Sequence, residues 1–196
     1  MSELVKKPVR PYRKVVPRVL DCTLRDGGYY NNWDFSEDMV QRYLDAVANS
    51  GVEIVELGFR SKATEGYMGS CYYTTDIFLK SLDIPSSLEV AVMVNGSDLF
   101  GHPWGPVGAI DQLFDNADNS PVDWVRIAAH PDEAIALSPG IKRLQELGYR
   151  VGLNIMQISR LTSAEVQETV GLIADGQAPD ILYFADSLGN MNPPQV

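Results

Sequence analysis

The chain has 196 residues, 45% of them hydrophobic, enough for one sizeable core and too few for two ordinary domains. Its 26 acidic side chains outnumber 16 basic ones, and the formal charge of -10 repels phosphate backbones and anionic lipid. Neither nucleic acid nor a membrane is therefore expected as a partner, and no apolar run approaches the ~20 residues that span a bilayer.

Residues 1–17 carry Lys6, Lys7, Arg10, Arg13 and Lys14 among three prolines, with little periodicity and no apolar signal-peptide core. They are expected to form a solvated, flexible arm without chemistry of its own. Cys22 and Cys71 are the only cysteines, too few for a disulfide framework of the secreted type. A reducing cytoplasmic location is the expectation.

From residue 18 to 196 one domain is expected, built of alternating strands and helices. Short apolar, β-rich runs predict six strands: Val19–Thr23, Val52–Leu57, Leu88–Val94, Val122–Ala128, Arg150–Ile155 and Asp180–Phe184. Helices are predicted over Ser36–Asn49, Pro131–Leu147 and Ser163–Ala174. In the first of them Met39, Val40, Tyr43, Leu44 and Val47 share one face.

Ser36 ahead of Glu37 and Asp38, and Thr162 with Glu165, have the spacing of helix N-caps; Gly51 and Gly148 stand where left-handed C-caps belong. Strands with so little polar interruption suit a parallel sheet covered by helices. Periodicity alone allows either an open doubly wound sheet or a barrel. The first strand is not followed by a Gly-x-Gly-x-x-Gly turn, which argues against a dinucleotide fold.

Parallel α/β folds place their chemistry at the carboxyl ends of the strands. There the sequence offers Asp21, Thr23, Arg25 and Asp26, then Glu56, Asn95 and His130, then Asn154 and Gln157, and finally Asp186 and Ser187. Each has a plain alternative: Asp26 before Gly27 and Gly28 suits an Asx-turn, Arg25 and Glu56 a structural ion pair, Asp186 a cap. Together, an acid, a base and a guanidinium at one sheet edge suggest a site, because such charges are costly unless paired or engaged with a ligand.

The run Leu20-Asp21-Cys22-Thr23-Leu24-Arg25-Asp26-Gly27-Gly28 resembles the strand-one signature of the DRE-TIM metallolyases. That superfamily includes 3-hydroxy-3-methylglutaryl-CoA lyase, the isopropylmalate and homocitrate synthases, and 4-hydroxy-2-oxovalerate aldolase. Val55-Glu56-Leu57-Gly58-Phe59, Val125-Arg126-Ile127-Ala128-Ala129-His130 and Phe184-Ala185-Asp186-Ser187-Leu188-Gly189-Asn190-Met191 continue the likeness in order and spacing. The last two segments are most similar to the 4-hydroxy-2-oxovalerate aldolase branch. The synthases usually carry Glu-Gln after the Arg-Asp-Gly core, where this chain has Gly28-Tyr29; the aldolases place a histidine where Tyr29 stands.

The resemblance implies a (β/α)8 TIM barrel, represented here by about six βα units and thus incomplete. It implies cleavage of a 4-hydroxy-2-oxo acid to pyruvate and an aldehyde, with a divalent Mn or Mg cation held by Asp26 and by a His-x-His pair on a seventh strand. Arg25 would stabilise the enolate, Tyr29 is the candidate proton relay with a metal-bound water or His130 as alternatives, and Glu56 and Asp186 would orient Arg25 and the metal-bound water. His130, Asn154 and Gln157 are candidate substrate contacts.

Only His102 and His130 are present, and His102 is expected at the surface, so the histidine pair is not in this sequence. Trp33 and Trp104 are expected to pack loops. Two other activities remain open: an acyl-CoA condensing synthase, and a noncatalytic barrel fragment acting in binding or assembly. A small-molecule 2-oxo acid is the expected substrate, with self-association or a partner segment completing the barrel.

Overall fold

The computed structural model describes residues 17–193, so most of the expected arm lies outside the described residues. Six parallel strands follow in strict sequence order: β1 (Leu20–Asp21), β2 (Ile54–Phe59), β3 (Glu89–Asn95), β4 (Trp124–Ala129), β5 (Arg150–Ile155) and β6 (Ile181–Phe184). A doubly wound sheet reverses its order at a switch point. This sheet does not, and it curls into an incomplete barrel. No helix among the described residues is long and apolar enough to cross a membrane.

The helices are α1 (Thr23–Gly27), α2 (Glu37–Asn49), α3 (Ser70–Tyr73), α4 (Asp76–Ser81), α5 (Gly96–Phe100), α6 (Gly105–Leu113), α7 (Ser138–Glu146) and α8 (Ser163–Asp175). Ser36 Oγ accepts from the Met39 N–H at 3.2 Å, and Thr162 with Glu165 closes a complete capping box. Gly51 and Gly148 turn the chain at φ 83° and 97°, where a side chain would be strained.

β2 and β4 each begin two residues later than their sequence outlines, and two further elements differ more, for local reasons. The first strand was expected through Thr23 but ends at Asp21. Asp21 Oδ1 accepts the Thr23 backbone N–H at 2.9 Å, an Asx-type turn that starts α1 early and lifts Arg25 and Asp26 onto a helical turn. The helix expected over Pro131–Leu147 is a 3-10 turn over Ala134–Leu137 followed by α7. Pro139, which has no N–H to donate, sits in the first turn of α7.

Alternate strand positions divide the core. Val55, Leu57, Val92, Val94, Val125, Ile127, Val151 and Leu153 are fully buried in the main cluster, which also takes Val40, Leu44 and Ile141 from the helices. A second, smaller cluster unites Ile54, Ala91 and Trp124 with Leu20 and Ile181. Toward the amino ends of the strands Glu89 collects Arg18 at 2.8 Å, Arg150 at 2.9 Å and the Trp124 indole N–H at 2.7 Å. The next positions along β2 and β4 after Ile54 and Trp124 on the same face are Glu56 and Arg126, which open the candidate site.

Candidate active site

Glu56 is the most consequential buried charge in the chain, with no solvent exposure at all. It lies where β2 shifts register against β3, the irregularity falling between Glu56 and Gly58. Such a bulge re-aims side chains beside it. Its neighbour Gly58 tolerates no side chain, since a Cβ would stand 1.8 Å from the Cys71 carbonyl oxygen.

Two guanidinium groups share the Glu56 carboxylate. Oε1 accepts from Arg25 Nε in a short charge-assisted bond, and Oε2 accepts from Arg126 Nη1 at 2.8 Å. Arg25 Nη1 also meets Asp26 Oδ1 at 2.8 Å. Burial works against the Arg25 charge, but Glu56 and Asp26 outweigh it and push its pKa up, so the group stays cationic. The Cys22 thiol, raised by burial and then by its bond to Asp26, donates to Asp26 Oδ2 at 3.2 Å.

The backbone around Arg25 is equally constrained. The Trp33 indole N–H donates to the Arg25 carbonyl at 2.8 Å. Trp33 reaches that position across Gly28, where an added Cβ would fall 2.0 Å from the ring. This explains the second glycine of the Arg25-Asp26-Gly27-Gly28 run as a close approach. Trp33 is buried and packs as expected, whereas Trp104 is 79% exposed.

Tyr29 stands beside this loop, exposed, with its ring 4.7 Å from Trp33 and 6.3 Å from Phe59. The Arg25 guanidinium lies 5.8 Å from the same Phe59 ring. Tyr29 and Arg25 are thus gathered around one aromatic side chain.

Arg25, Asp26, Glu56 and Tyr29 therefore come together. Asp186 follows β6, at the other edge of the strand order, and makes no hydrogen bond or ion pair to them. The Met191 backbone N–H donates to its Oδ2 at 2.8 Å and, with the Ser159 hydroxyl and the Asn190 and Gly189 N–H groups close to the carboxylate, holds it below its ordinary range. Asn154 is half-buried on β5, in register with Ala128 and Tyr183. Gln157 turns the chain at φ 55°, its N–H donating to Ser187 Oγ at 3.2 Å. His130 begins the turn after β4, where its N–H donates to Glu133 Oε2 at 2.9 Å. His102 bonds Gln112 Oε1 at 2.8 Å, far along the chain from any of these groups.

Arg126 was legible only as part of a motif, yet it joins the charged centre directly. The signal was a lone guanidinium inside the otherwise apolar run Trp124–Ala129, which demands a buried counter-charge. Arg60, just past β2, is a second buried arginine. It serves the loop, with Nε and Nη2 donating to the Thr74 carbonyl at 3.0 and 2.6 Å and Nη2 also to Asp76 at 2.6 Å. A cleft of about 560 Å³ lined by Arg60, Asp76 and Phe114 includes none of the predicted site residues.

A Mn or Mg site needs several hard donors around one point. Among the described residues no group of three or more histidine, cysteine, aspartate or glutamate side chains forms one. Asp26 has each carboxylate oxygen engaged, one by Arg25 and one by Cys22. These residues by themselves do not fit the cation that the resemblance implies.

No protein-family model matches the chain. Curated relatives include 4-hydroxy-2-oxovalerate aldolase 6 of Rhodococcus jostii, 26% identical over 92% of this chain and 49% of that protein. An oxaloacetate decarboxylase of Mycobacterium tuberculosis is 25% identical over 90% of this chain and 50% of its own length. Among solved structures, the N-terminal domain of a Bacteroides vulgatus protein described as an aldolase superposes with TM-score 0.69 at 31% identity, covering 91% of this chain and 57% of that one. The chain spans about half the length of the curated relatives it matches.

Proposed function

We infer that this chain, related to the N-terminal half of the 4-hydroxy-2-oxovalerate aldolases of the DRE-TIM family, contributes the enolate-stabilising part of a carbon–carbon lyase site for a 2-oxo acid. The observation that carries the reading is the fully buried Glu56 gripping Arg25 at the carboxyl edge of a parallel sheet. A cation held this rigidly in a partly dry setting is pre-organised for negative charge that develops only in the transition state.

In aldol cleavage a base takes the proton of the 4-hydroxyl, the C3–C4 bond breaks, and its electron pair moves into C2–C3 while charge passes to the 2-oxo oxygen. Arg25 is the proposed donor to that oxygen. Its Nε is committed to Glu56 and its Nη1 to Asp26, which leaves the Nη2 edge to face a ligand. Proton return to C3 completes pyruvate. Tyr29, exposed at the mouth beside Phe59, is the proposed proton relay. Asp186, kept as a carboxylate after β6 by the donors around it, is proposed to accept a hydrogen bond from substrate or water. His130, Asn154 and Gln157 are proposed to contact substrate from the ends of β4 and β5.

Mn or Mg would supply Lewis-acid polarisation of the 2-oxo group in such an enzyme, with Asp26 as its donor from this chain. Because Asp26 alone is no site, no step here depends on it. A reducing cytoplasmic location is part of the proposal, on the low cysteine count of the sequence.

The test is pyruvate release from 4-hydroxy-2-oxo acids by protein expressed from its complete reading frame, with and without Mn. Oxaloacetate is a second substrate arm, motivated by the decarboxylase relative; acetyl-CoA dependence would instead indicate a condensing synthase. Arg25→Lys keeps the charge and loses the planar donor fork. It should lower kcat about 100-fold with KM changed less than about threefold, the pattern of a donor used in the transition state. Near-normal kcat with a raised KM would remove Arg25 from the enolate role.

A further inference from the structure

Arg126 has no role in the reaction outlined above, yet it is built into the same centre. It pairs in register with Met93 on one side and Gly152 on the other. Its guanidinium carbon lies 4.8 Å from the centroid of the Tyr183 ring. Gly152 keeps the slot open, since a Cβ there would come within 3.2 Å of both Arg126 Cγ and Tyr183 Cε2. The Arg126 side chain is 11% exposed, and its Nε is buried without a hydrogen-bond partner. An orphaned donor of that kind is unfavourable. Arg25 serves Asp26 as well as Glu56, so a second guanidinium balances the two carboxylates, but charge balance alone does not explain why each arginine takes a separate Glu56 oxygen.

The geometry points to Arg126 as a positioning residue for Arg25, acting through Glu56. The terminal torsion of a glutamate is broad and roughly two-fold, so a carboxylate held through one oxygen still swings. A second guanidinium on the other oxygen fixes the plane of the carboxylate and thereby the direction in which Arg25 points. The second guanidinium has an electrostatic consequence as well: its own positive potential adds to that of Arg25 and offsets part of the negative field of Glu56 and Asp26. This inference rests on the reading of Arg25 as the enolate donor.

Kinetics of Arg126→Gln test it in the active protein. We expect kcat to fall about 10- to 100-fold with little change in KM, the effect of a misaimed group. In an Arg25→Lys background the same change should cost almost nothing further, because the residue it positions is already gone. Arg126→Lys should recover part of the loss. Additive losses in the double variant, or a loss carried by KM, would overturn the proposal. If Arg126→Gln does not fold, Arg126→Lys, which keeps the buried charge and loses the planar donor fork, must itself lower kcat with little change in KM and add nothing in the Arg25→Lys background.

A second readout needs no turnover. The Arg25 Nε–H resonance, identified by its disappearance in Arg25→Lys, should exchange with solvent at least about tenfold faster in Arg126→Gln once its acceptor swings. The Arg60 Nε–H, bonded to the Thr74 carbonyl, is the internal reference and should not change. An unchanged Arg25 signal, or equal acceleration at Arg60, would show that Arg126 only supports the fold. Absence of pyruvate release by the unaltered protein would count against the lyase reading, while the exchange measurement would still decide the positioning role.

Discussion

Asp21 and Tyr43 form a polar contact on which the start of the site loop depends. Burial alone would raise the Asp21 pKa, but the Tyr43 hydroxyl and the Thr23 backbone N–H donate to its carboxylate and hold it below the ordinary aspartate range. A depressed carboxylate contributes stability that is complete above its unfolded pKa and is lost as pH falls through its folded value. Tyr43→Phe should therefore cost about 1 kcal/mol at pH 7, the worth of a bond to a largely solvated charge. The gap between the two proteins should shrink below pH ~4. Urea unfolding at neutral and acid pH measures it. A gap independent of pH would mean that Tyr43 acts by packing alone.

At the level of elements, the passage from β2 into α3 decides whether Glu56 reaches its partners. Gly58 lies directly after the β2 irregularity and against the Cys71 carbonyl of α3, with Thr74 Oγ1 also within 2.8 Å of any added Cβ. Two of the three nearest atoms are backbone, so relief would require separating α3 from the sheet. Gly58→Ala should destabilise by about 3 kcal/mol or more, the upper range for overpacking a filled interior. A lowered urea midpoint with an unchanged slope is the expected result. Gly171→Ala is the comparison: nothing lies within 4 Å of its Cβ position, and alanine favours helix over glycine, so α8 should gain a few tenths of a kcal/mol up to about 1. If both substitutions prove neutral, the tight contact between β2 and α3 is not as described.

Across the whole molecule, β1 and β6 each have a strand partner on one side only among the described residues. β6 is partly exposed along its length, and Phe184 is 47% exposed. A closed barrel has no such edges, and unpaired ones invite pairing with another chain. The isolated 196-residue chain should therefore self-associate at tens of micromolar, with sedimentation coefficients that rise with concentration. A monodisperse monomer across that range would overturn this expectation.

The amino-acid order by itself determined the alternation of strands and helices, the helix caps at Ser36 and Thr162, and the glycine turns at Gly51 and Gly148. These are local properties, set by side-chain period and by backbone freedom within a few residues. The Arg25-Asp26-Gly27 run could be singled out too, by its place after an apolar strand and by its resemblance to a family's strand-one signature. Tertiary structure alone decided three things. Strand order chose the barrel over the doubly wound sheet, since both have the same one-dimensional pattern. The Asp21 side chain cut β1 short, a competition between a turn and a ladder whose outcome depends on Tyr43, 22 residues away. Arg126 met Glu56 across 70 residues of chain because β2 and β4 flank β3 in the folded sheet, and no local pattern in the sequence states which strands share a neighbour.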